Sequence, residues 1–219
     1  MDLMFEDRED AGRRLAGALA AYAGRDPLVL AIPRGAVPMS WTIAQELGGE
    51  LDVALVRKLG APGDPEFAIG AVSEGGDVLL DPSVQQLVVD PWYVEQEVAR
   101  QRATLRARRA AYTPLRPPID PRGRLVIVVD DGVATGSTMV AALRAVRARG
   151  PAELVAAVAV AAPEAIARLE READRVVALH VPWRLVAVGH FFRDFSQVSD
   201  DEVARTLRLA ALPRAARPA

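Results

Sequence analysis

The sequence predicts an α/β fold: a doubly wound, mostly parallel five-stranded sheet flanked by helices. Two patterns carry this prediction. Short runs of consecutive apolar residues alternate along the chain with segments whose apolar residues recur at helical spacing. Continuous apolar runs are typical of parallel strands that helices cover on both faces. With 219 residues, 51% of them hydrophobic, the chain can fill one core, so we interpret residues 1–219 as a single domain.

The first part of the chain alternates helix and strand signals. Asp7 can cap the first helix, and glycines end the second. Gly75 and Gly76 are typical of the turn of a hairpin. The predicted elements are a helix over 6–23, strands over 27–32 and 51–56, a helix over 39–49, and a hairpin over 67–81.

A long polar helix over 91–112 and a proline-rich connector over 113–123 separate this part from a second alternating series. The spacing of five arginines on the long helix fits a solvated helix better than a nucleic-acid surface. They are Arg100, Arg102, Arg106, Arg108 and Arg109. The later elements are strands over 125–129, 153–162 and 175–181, and helices over 138–149, 163–172 and 200–212.

Composition narrows the class of partner. Acidic and basic residues nearly cancel, 29 against 27, so no global charge favours nucleic acid or a membrane, and a small molecule is the expected ligand. The absence of cysteine excludes disulfides and thiolate metal sites. The N-terminus lacks the pattern of a secretion signal, and the longest apolar run, 154–163, is too short to span a bilayer. We therefore expect a soluble cytoplasmic protein.

Three loops follow predicted strands and should meet at one edge of the sheet. They cover residues 33–38, 57–66 and 130–138. Ligands of parallel α/β sheets bind beyond the carboxyl ends of the strands, so this edge is the predicted binding site.

Asp130 and Asp131 directly follow the predicted strand over 125–129. Two carboxylates there could hold a polyol through hydrogen bonds or help to hold a hydrated divalent cation. The plainer alternative is that one caps the following turn and the other is solvated. The small residues of the next segment, 132–138, precede a helix and let backbone N–H groups approach an anion, for which phosphate is the natural candidate. The loop lacks the lysine of a Walker A motif, and an ordinary capped turn is again the alternative.

The stretch "VIVVDDGVATGST" resembles the signature of the type I phosphoribosyltransferases. The resemblance implies that Asp130 and Asp131 hold the ribose 2′- and 3′-hydroxyls of phosphoribosyl diphosphate (PRPP). It also implies that the following loop holds the 5′-phosphate through Ala134, Thr135, Gly136, Ser137 and Thr138. It covers mainly residues 27–162, and implies a hood built from the chain ends, about 1–26 and 181–219, that recognises the acceptor.

Two further loops resemble the same family. "AIPRGAVP" is similar to the loop that binds pyrophosphate through backbone amides, often with a cis peptide, which implies this role for Arg34, Gly35 and Ala36. Close relatives often have a second glycine where this chain has Ala36. "VRKLGAP" resembles the Arg-Lys segment of the adenine-type enzymes, so Arg57 and Lys58 are implied to stabilise the departing diphosphate, and residues 60–66 to form a loop that closes over the substrate.

The implied activity is transfer of the phosphoribosyl group of PRPP to a nitrogenous base with release of diphosphate. The implied cofactor is Mg²⁺, held by the substrate, with any protein contact made through water to Asp130 or Asp131. The implied partners are PRPP and a base, with a homodimer as the possible assembly. Hypoxanthine–guanine-type enzymes carry an aspartate where this chain has Ala134, which disfavours a 6-oxopurine acceptor.

Three points stay open from the sequence. The aromatic residues Trp183, Phe191 and Phe192 could stack on a base, although core positions are the commoner use of such residues. His190 could contact a base edge. A regulatory protein that binds PRPP or a nucleotide without turnover, or a hydrolase that uses water as acceptor, would carry the same motifs.

Overall fold

The computed structural model describes residues 4–80, 89–114 and 117–213. Its main sheet has five parallel strands in the order β2-β1-β6-β7-β8, which confirms the predicted fold class. These strands are β1 (Leu28–Ala31), β2 (Glu50–Val53), β6 (Leu125–Val133), β7 (Glu153–Ala161) and β8 (Arg175–His180). A second sheet contains β3 (Val56–Ala61), β4 (Asp64–Ser73) and β5 (Val78–Leu80). The helices are α1 (Arg8–Ala18), α2 (Ala36–Leu47), α3 (Pro91–Tyr112), α4 (Ser137–Arg147), α5 (Pro163–Leu169) and α6 (Asp200–Ala210).

Side chains alternate across the main sheet and feed two apolar clusters. Val29, Ile127 and Val155 belong to the cluster that includes α1, α2 and α6. Their neighbours Leu28 and Val126 belong to the cluster that includes α4 and α5. Because both faces of β1, of β7 after Glu153 and of β6 as far as Val129 are buried, these stretches are continuously apolar, as the sequence pattern predicted. None of the helices in the described ranges has both the length and the apolar character that crossing a bilayer requires.

The prediction of a loop over 57–66 is wrong. The predicted strand over 51–56 ends at Val53, and β3 starts at Val56 and pairs antiparallel with β4. Pro62 and Gly63 form the turn, in which Gly63 has a φ of 79° that favours glycine. The polar segment becomes a strand because β4 supplies its hydrogen-bonding partner, which local sequence does not reveal. The predicted hairpin is present as β4 and β5, and residue 81 lies outside the described residues.

Helix boundaries differ from the predictions by a few residues. The Asp7 side chain accepts a hydrogen bond from the Asp10 amide at 2.7 Å, so the predicted cap of α1 is confirmed. The helix ends at Ala18, and a short 3₁₀ helix follows at Ala20–Tyr22. Helix α2 begins at Ala36, three residues before the predicted start.

Helix α3 has the predicted bounds, but one of its arginines is not solvated. Arg109 donates to the carboxylate of Asp52 at 2.7 Å and to both oxygens of Glu74, and Asp52 is 1% exposed. Burial alone would lower the pKa of Arg109, but its hydrogen bonds to Glu74 and the charges of Asp52 and Glu74 raise it above its usual value. This cluster joins α3 to β2 and to the turn after β4, so Arg109 has a structural role.

The two ends of the chain meet. The amides of Met4 and Phe5 donate to the carbonyl of Phe191, and the amide of Asp194 donates to the carbonyl of Glu6 at 2.8 Å. Phe191 and Phe192 are each 3% exposed, so both belong to the core. The joined segments lie over the end of β6, because Val188 packs directly on Gly132, where a β-carbon would lie 2.2 Å from a Val188 methyl group.

Candidate active site

The acidic pair lies inside β6 rather than after it. The sequence predicted a strand that ends at residue 129, but β6 continues to Val133 because β7 pairs with it as far as Ala161. Asp130 and Asp131 are half-buried near the carboxyl end of this central strand. The pair is therefore held by sheet hydrogen bonds, which fix its backbone more firmly than a loop would.

Each carboxylate of the pair has one oxygen held in place. Asp130 Oδ1 accepts a hydrogen bond from the Asp131 amide at 2.9 Å, and Asp131 Oδ2 accepts one from Arg8 Nε at 2.8 Å. Asp130 Oδ2 and Asp131 Oδ1 have no hydrogen-bond partner within the described ranges. Two neighbouring acceptors of this kind match the donors of a vicinal diol.

Burial and the neighbouring charge of Asp131 raise the pKa of Asp130 well above its usual value. The hydrogen bond from the Asp131 amide and the charge of Arg8 act in the opposite direction but do not cancel the rise. Asp130 therefore keeps its proton to a higher pH than an aspartate in water would.

The loop after β1 reaches the acidic pair. A β-carbon built on Gly35 would lie 2.2 Å from Asp131 Oδ2, so the absence of a side chain at this position leaves room for this carboxylate. The peptide bond between Pro33 and Arg34 is cis. Ala36 is buried as the first residue of α2. Arg34 points elsewhere and forms an ion pair with Asp200 of α6 at 3.6 Å.

The loop over 134–138 opens α4. Gly136, the N-cap residue, has a φ of 81° and no side chain, and the Ser137 amide donates a long hydrogen bond of 3.5 Å to the Thr135 hydroxyl. The hydroxyls of Thr135 and Ser137 lie 3.3 Å apart, and Thr138 is exposed in the first turn. A helix start with glycine at the N-cap and hydroxyls beside it is suited to hold an anion.

Arg57 and Lys58 lie on β3, paired with Val72 and Ala71 of β4. Neither side chain has an ion pair or hydrogen bond with any residue in the described ranges, including the acidic pair. The structure thus brings Gly35 and Asp131 together but records no such contact for these two cations.

Sequence reasoning missed two arginines. Arg8 is the first residue of α1 and forms an ion pair with Asp131. The positive end of a helix dipole disfavours a cation at this position, so the sequence could have indicated that Arg8 has a partner elsewhere in the fold. Arg168 of α5 donates to the Thr135 carbonyl at 2.6 Å, and nothing in its local sequence marks this contact. Of the hood candidates, Trp183 is 88% exposed and His190 is exposed.

The residues present are compatible with a substrate-held magnesium ion. Mg²⁺ prefers six oxygen ligands and usually keeps several waters. No group of three or more acidic or histidine side chains that could hold a metal occurs among the described residues. The free oxygens of Asp130 and Asp131 could contact the ion or its waters, and the remaining ligands would have to come from a bound phosphorylated compound.

Comparisons with known proteins identify relatives of this chain. The family model for the phosphoribosyl transferase domain matches residues 4–192. A Mycobacterium tuberculosis protein named "Putative phosphoribosyl transferase" is 42% identical over 205 residues, which is 93% of this chain and 46% of that protein. The chain thus spans about half the length of the curated relatives it matches.

Of two other matches, one covers a third of the chain and the other covers nearly all of it. A uracil phosphoribosyltransferase of Streptomyces griseus is 44% identical over 73 residues, which is 33% of each protein. The crystal structure of TT1426 from Thermus thermophilus superposes with a TM-score of 0.85 at 51% identity, covering 93% of this chain and 97% of that one. Since the family model spans most of the sequence, the chain belongs to the phosphoribosyl transferase family.

Proposed function

We propose that this chain binds PRPP at the carboxyl edge of its main sheet and transfers the phosphoribosyl group to a nitrogenous base. The observation that carries the proposal is the pair of unpartnered carboxylate oxygens on Asp130 and Asp131, among the residues that the structure describes. The pair lies on the strand that leads into the start of α4, where the N-cap is Gly136, and Asp131 touches Gly35 of the neighbouring loop. A ribose with a 5′-phosphate and a 1-diphosphate presents matching groups for all three.

In this proposal each part of the site takes one part of PRPP. The oxygens of Asp130 and Asp131 accept hydrogen bonds from the ribose 2′- and 3′-hydroxyls. The amides and hydroxyls of residues 134–138 hold the 5′-phosphate. The backbone of residues 34–36 lies beside the diphosphate. Arg57 and Lys58 remain proposed contacts of the departing diphosphate, since both side chains are unpaired within the described residues.

The reaction breaks the bond between ribose C1 and the diphosphate oxygen, and the electron pair leaves with diphosphate. A ring nitrogen of the base forms the new bond to C1 and afterwards releases its proton to water. Positive charge develops on the ribose as the bond breaks, as in glycoside hydrolysis, and negative charge on the acidic pair stabilises it. Mg²⁺, when bound, neutralises part of the charge on the diphosphate.

The proposed acceptor is a nitrogenous base. Ala134 leaves no carboxylate at the loop position that serves 6-oxopurine acceptors. The match to a uracil phosphoribosyltransferase and the resemblance of the Arg57–Lys58 segment to adenine-type enzymes make uracil and adenine the first bases to try. Because Phe191 and Phe192 are buried, Trp183 is the remaining aromatic residue of the three proposed for stacking.

The test incubates the protein with PRPP, Mg²⁺ and each of a panel of bases, and measures diphosphate release. We expect release that depends on one base and that falls strongly in Asp131→Asn. Release without any base would indicate hydrolysis instead, and PRPP binding without release across the panel would contradict the transferase proposal.

A further inference from the structure

Arg8 connects the acidic pair to the segment that follows the second 3₁₀ helix (Val188–Phe191). Its Nε donates to Asp131 Oδ2 at 2.8 Å, and its Nη1 donates to the Ser196 carbonyl at 2.7 Å. Its guanidinium lies over the Phe195 ring, 3.9 Å from the centroid. Only 11% of the Arg8 side chain is exposed, so these contacts take up most of its surface.

The position of Arg8 in its helix does not favour a cation. Arg8 is the first residue of α1, where the helix dipole attracts negative charge, and Glu9 and Asp10 of the same turn follow that rule. Asp10 bonds with Arg14, so it does not neutralise Arg8. The contacts with Asp131, Ser196 and Phe195 therefore explain why an arginine is stable here.

The contact with Asp131 leaves that carboxylate in a defined orientation. A carboxylate with one oxygen bonded can present its other oxygen in a narrow range of directions. Asp130 is fixed in the same way by the Asp131 amide. Arg8 thus holds one oxygen of Asp131, as the backbone amide holds one oxygen of Asp130. The two remaining oxygens, Asp130 Oδ2 and Asp131 Oδ1, are those to which we assigned the ribose diol.

We propose that Arg8 is a positioning residue of the PRPP site: it fixes the ribose-binding carboxylate of Asp131 and ties it to residues 195–196. The inference rests on the proposed function, since the diol is its ligand. It adds a coupling, because Phe195 packs on Phe192 with ring centroids 4.9 Å apart. A shift of the segment over the site is therefore transmitted to Asp131 through one guanidinium group.

The test is a double-mutant cycle on PRPP affinity, measured by calorimetry with Mg²⁺. The proteins are the wild type, Arg8→Gln, Asp131→Asn, the double variant, and Arg13→Gln as a matched control on the exposed face of the same helix. A partly buried charge-assisted hydrogen bond is worth roughly tenfold or more in affinity, so we expect about a tenfold loss in Arg8→Gln. We expect no further loss when Arg8→Gln is added to Asp131→Asn, and no loss in Arg13→Gln.

Other outcomes would overturn the inference. Wild-type affinity in Arg8→Gln, tighter binding, or an equal loss with and without the Asp131 carboxylate would each show that Arg8 does not act through Asp131. A wild-type protein that binds no PRPP would instead remove the proposed function and this inference with it. If Arg8→Gln does not fold, Arg8→Lys replaces it in the cycle, because lysine keeps the charge but cannot bond Asp131 and Ser196 together while stacking on Phe195.

Discussion

Gly35→Ala should damage ligand binding while leaving the fold almost unchanged. Gly35 has φ −54° and ψ −39°, a conformation that alanine adopts without strain. Its new methyl group would lie 2.2 Å from Asp131 Oδ2 and 3.1 Å from Asp131 Cγ. To reach an ordinary contact distance, the carboxylate must move by roughly 1 Å.

The expected magnitude follows from that movement. A misplacement of about 1 Å at a reacting centre can cost about a hundredfold in rate. The displaced carboxylate would also lose its hydrogen bond to Arg8. A hydrogen bond to a charged group contributes about 1.5–3 kcal/mol when buried, and less where solvent reaches it. Because the Asp131 side chain can rotate toward solvent, we expect the free energy of unfolding of Gly35→Ala to fall by less than about 1 kcal/mol.

The assay pairs PRPP titration calorimetry and diphosphate release with urea unfolding. Gly17→Ala is the matched control, because its methyl group would meet nothing within 4 Å. We expect Gly17→Ala to bind PRPP as the wild type does. Its free energy of unfolding should be about 0.5–1 kcal/mol higher than that of the wild type. Wild-type PRPP affinity in a folded Gly35→Ala protein would refute the reasoning, because Asp131 could then be displaced without consequence.

Three more predictions concern other parts of the molecule. Because the folded-state pKa of Asp130 is raised, its ionisation lowers stability as the pH rises from about 4. Asp130→Asn should therefore unfold at higher urea than the wild type at pH 7, with the difference vanishing near a pH of about 3.5, and a pH-independent difference would contradict the assignment. Arg109→Met removes the ion pair of Arg109 with the buried Asp52 carboxylate and should lower the free energy of unfolding by about 3–5 kcal/mol. A loss under about 1 kcal/mol in urea unfolding would show that the cluster is not structural. Arg168→Gln removes the hydrogen bond to the Thr135 carbonyl, in the loop that opens α4, and should weaken binding of ribose 5-phosphate about tenfold in calorimetry. Arg171→Gln is the control and should have no effect. Equal affinities of Arg168→Gln and the wild type would mean that this contact does not order the loop.

The central motif could be found from the sequence because its signals are local. The apolar run before Asp130, the small residues after it and the helix that follows occupy consecutive positions. Strand and helix periodicity, together with glycine at a positive φ, depend on neighbouring residues only. The same holds for Asp7 as the cap of α1 and for the bounds of α3.

The placement of Arg57 and Lys58 could not be found in this way. Their segment contains a glycine and charges, which locally favour a loop, and it becomes a strand only because β4 pairs with it. Arg109 was interpreted as solvated for a similar reason, since its partner Asp52 is 57 positions away in the chain.

The sequence by itself determined the fold class, the central strand with its two aspartates and the small-residue loop, because each of these is specified by residues adjacent in the chain. Only the tertiary structure decided which groups surround them. Arg8 and Asp131 are 123 positions apart, and Gly35 meets Asp131 through the pairing of β1 with β6. The chemistry of the site depends on distances of about 3 Å, and folding alone brings such distant segments that close.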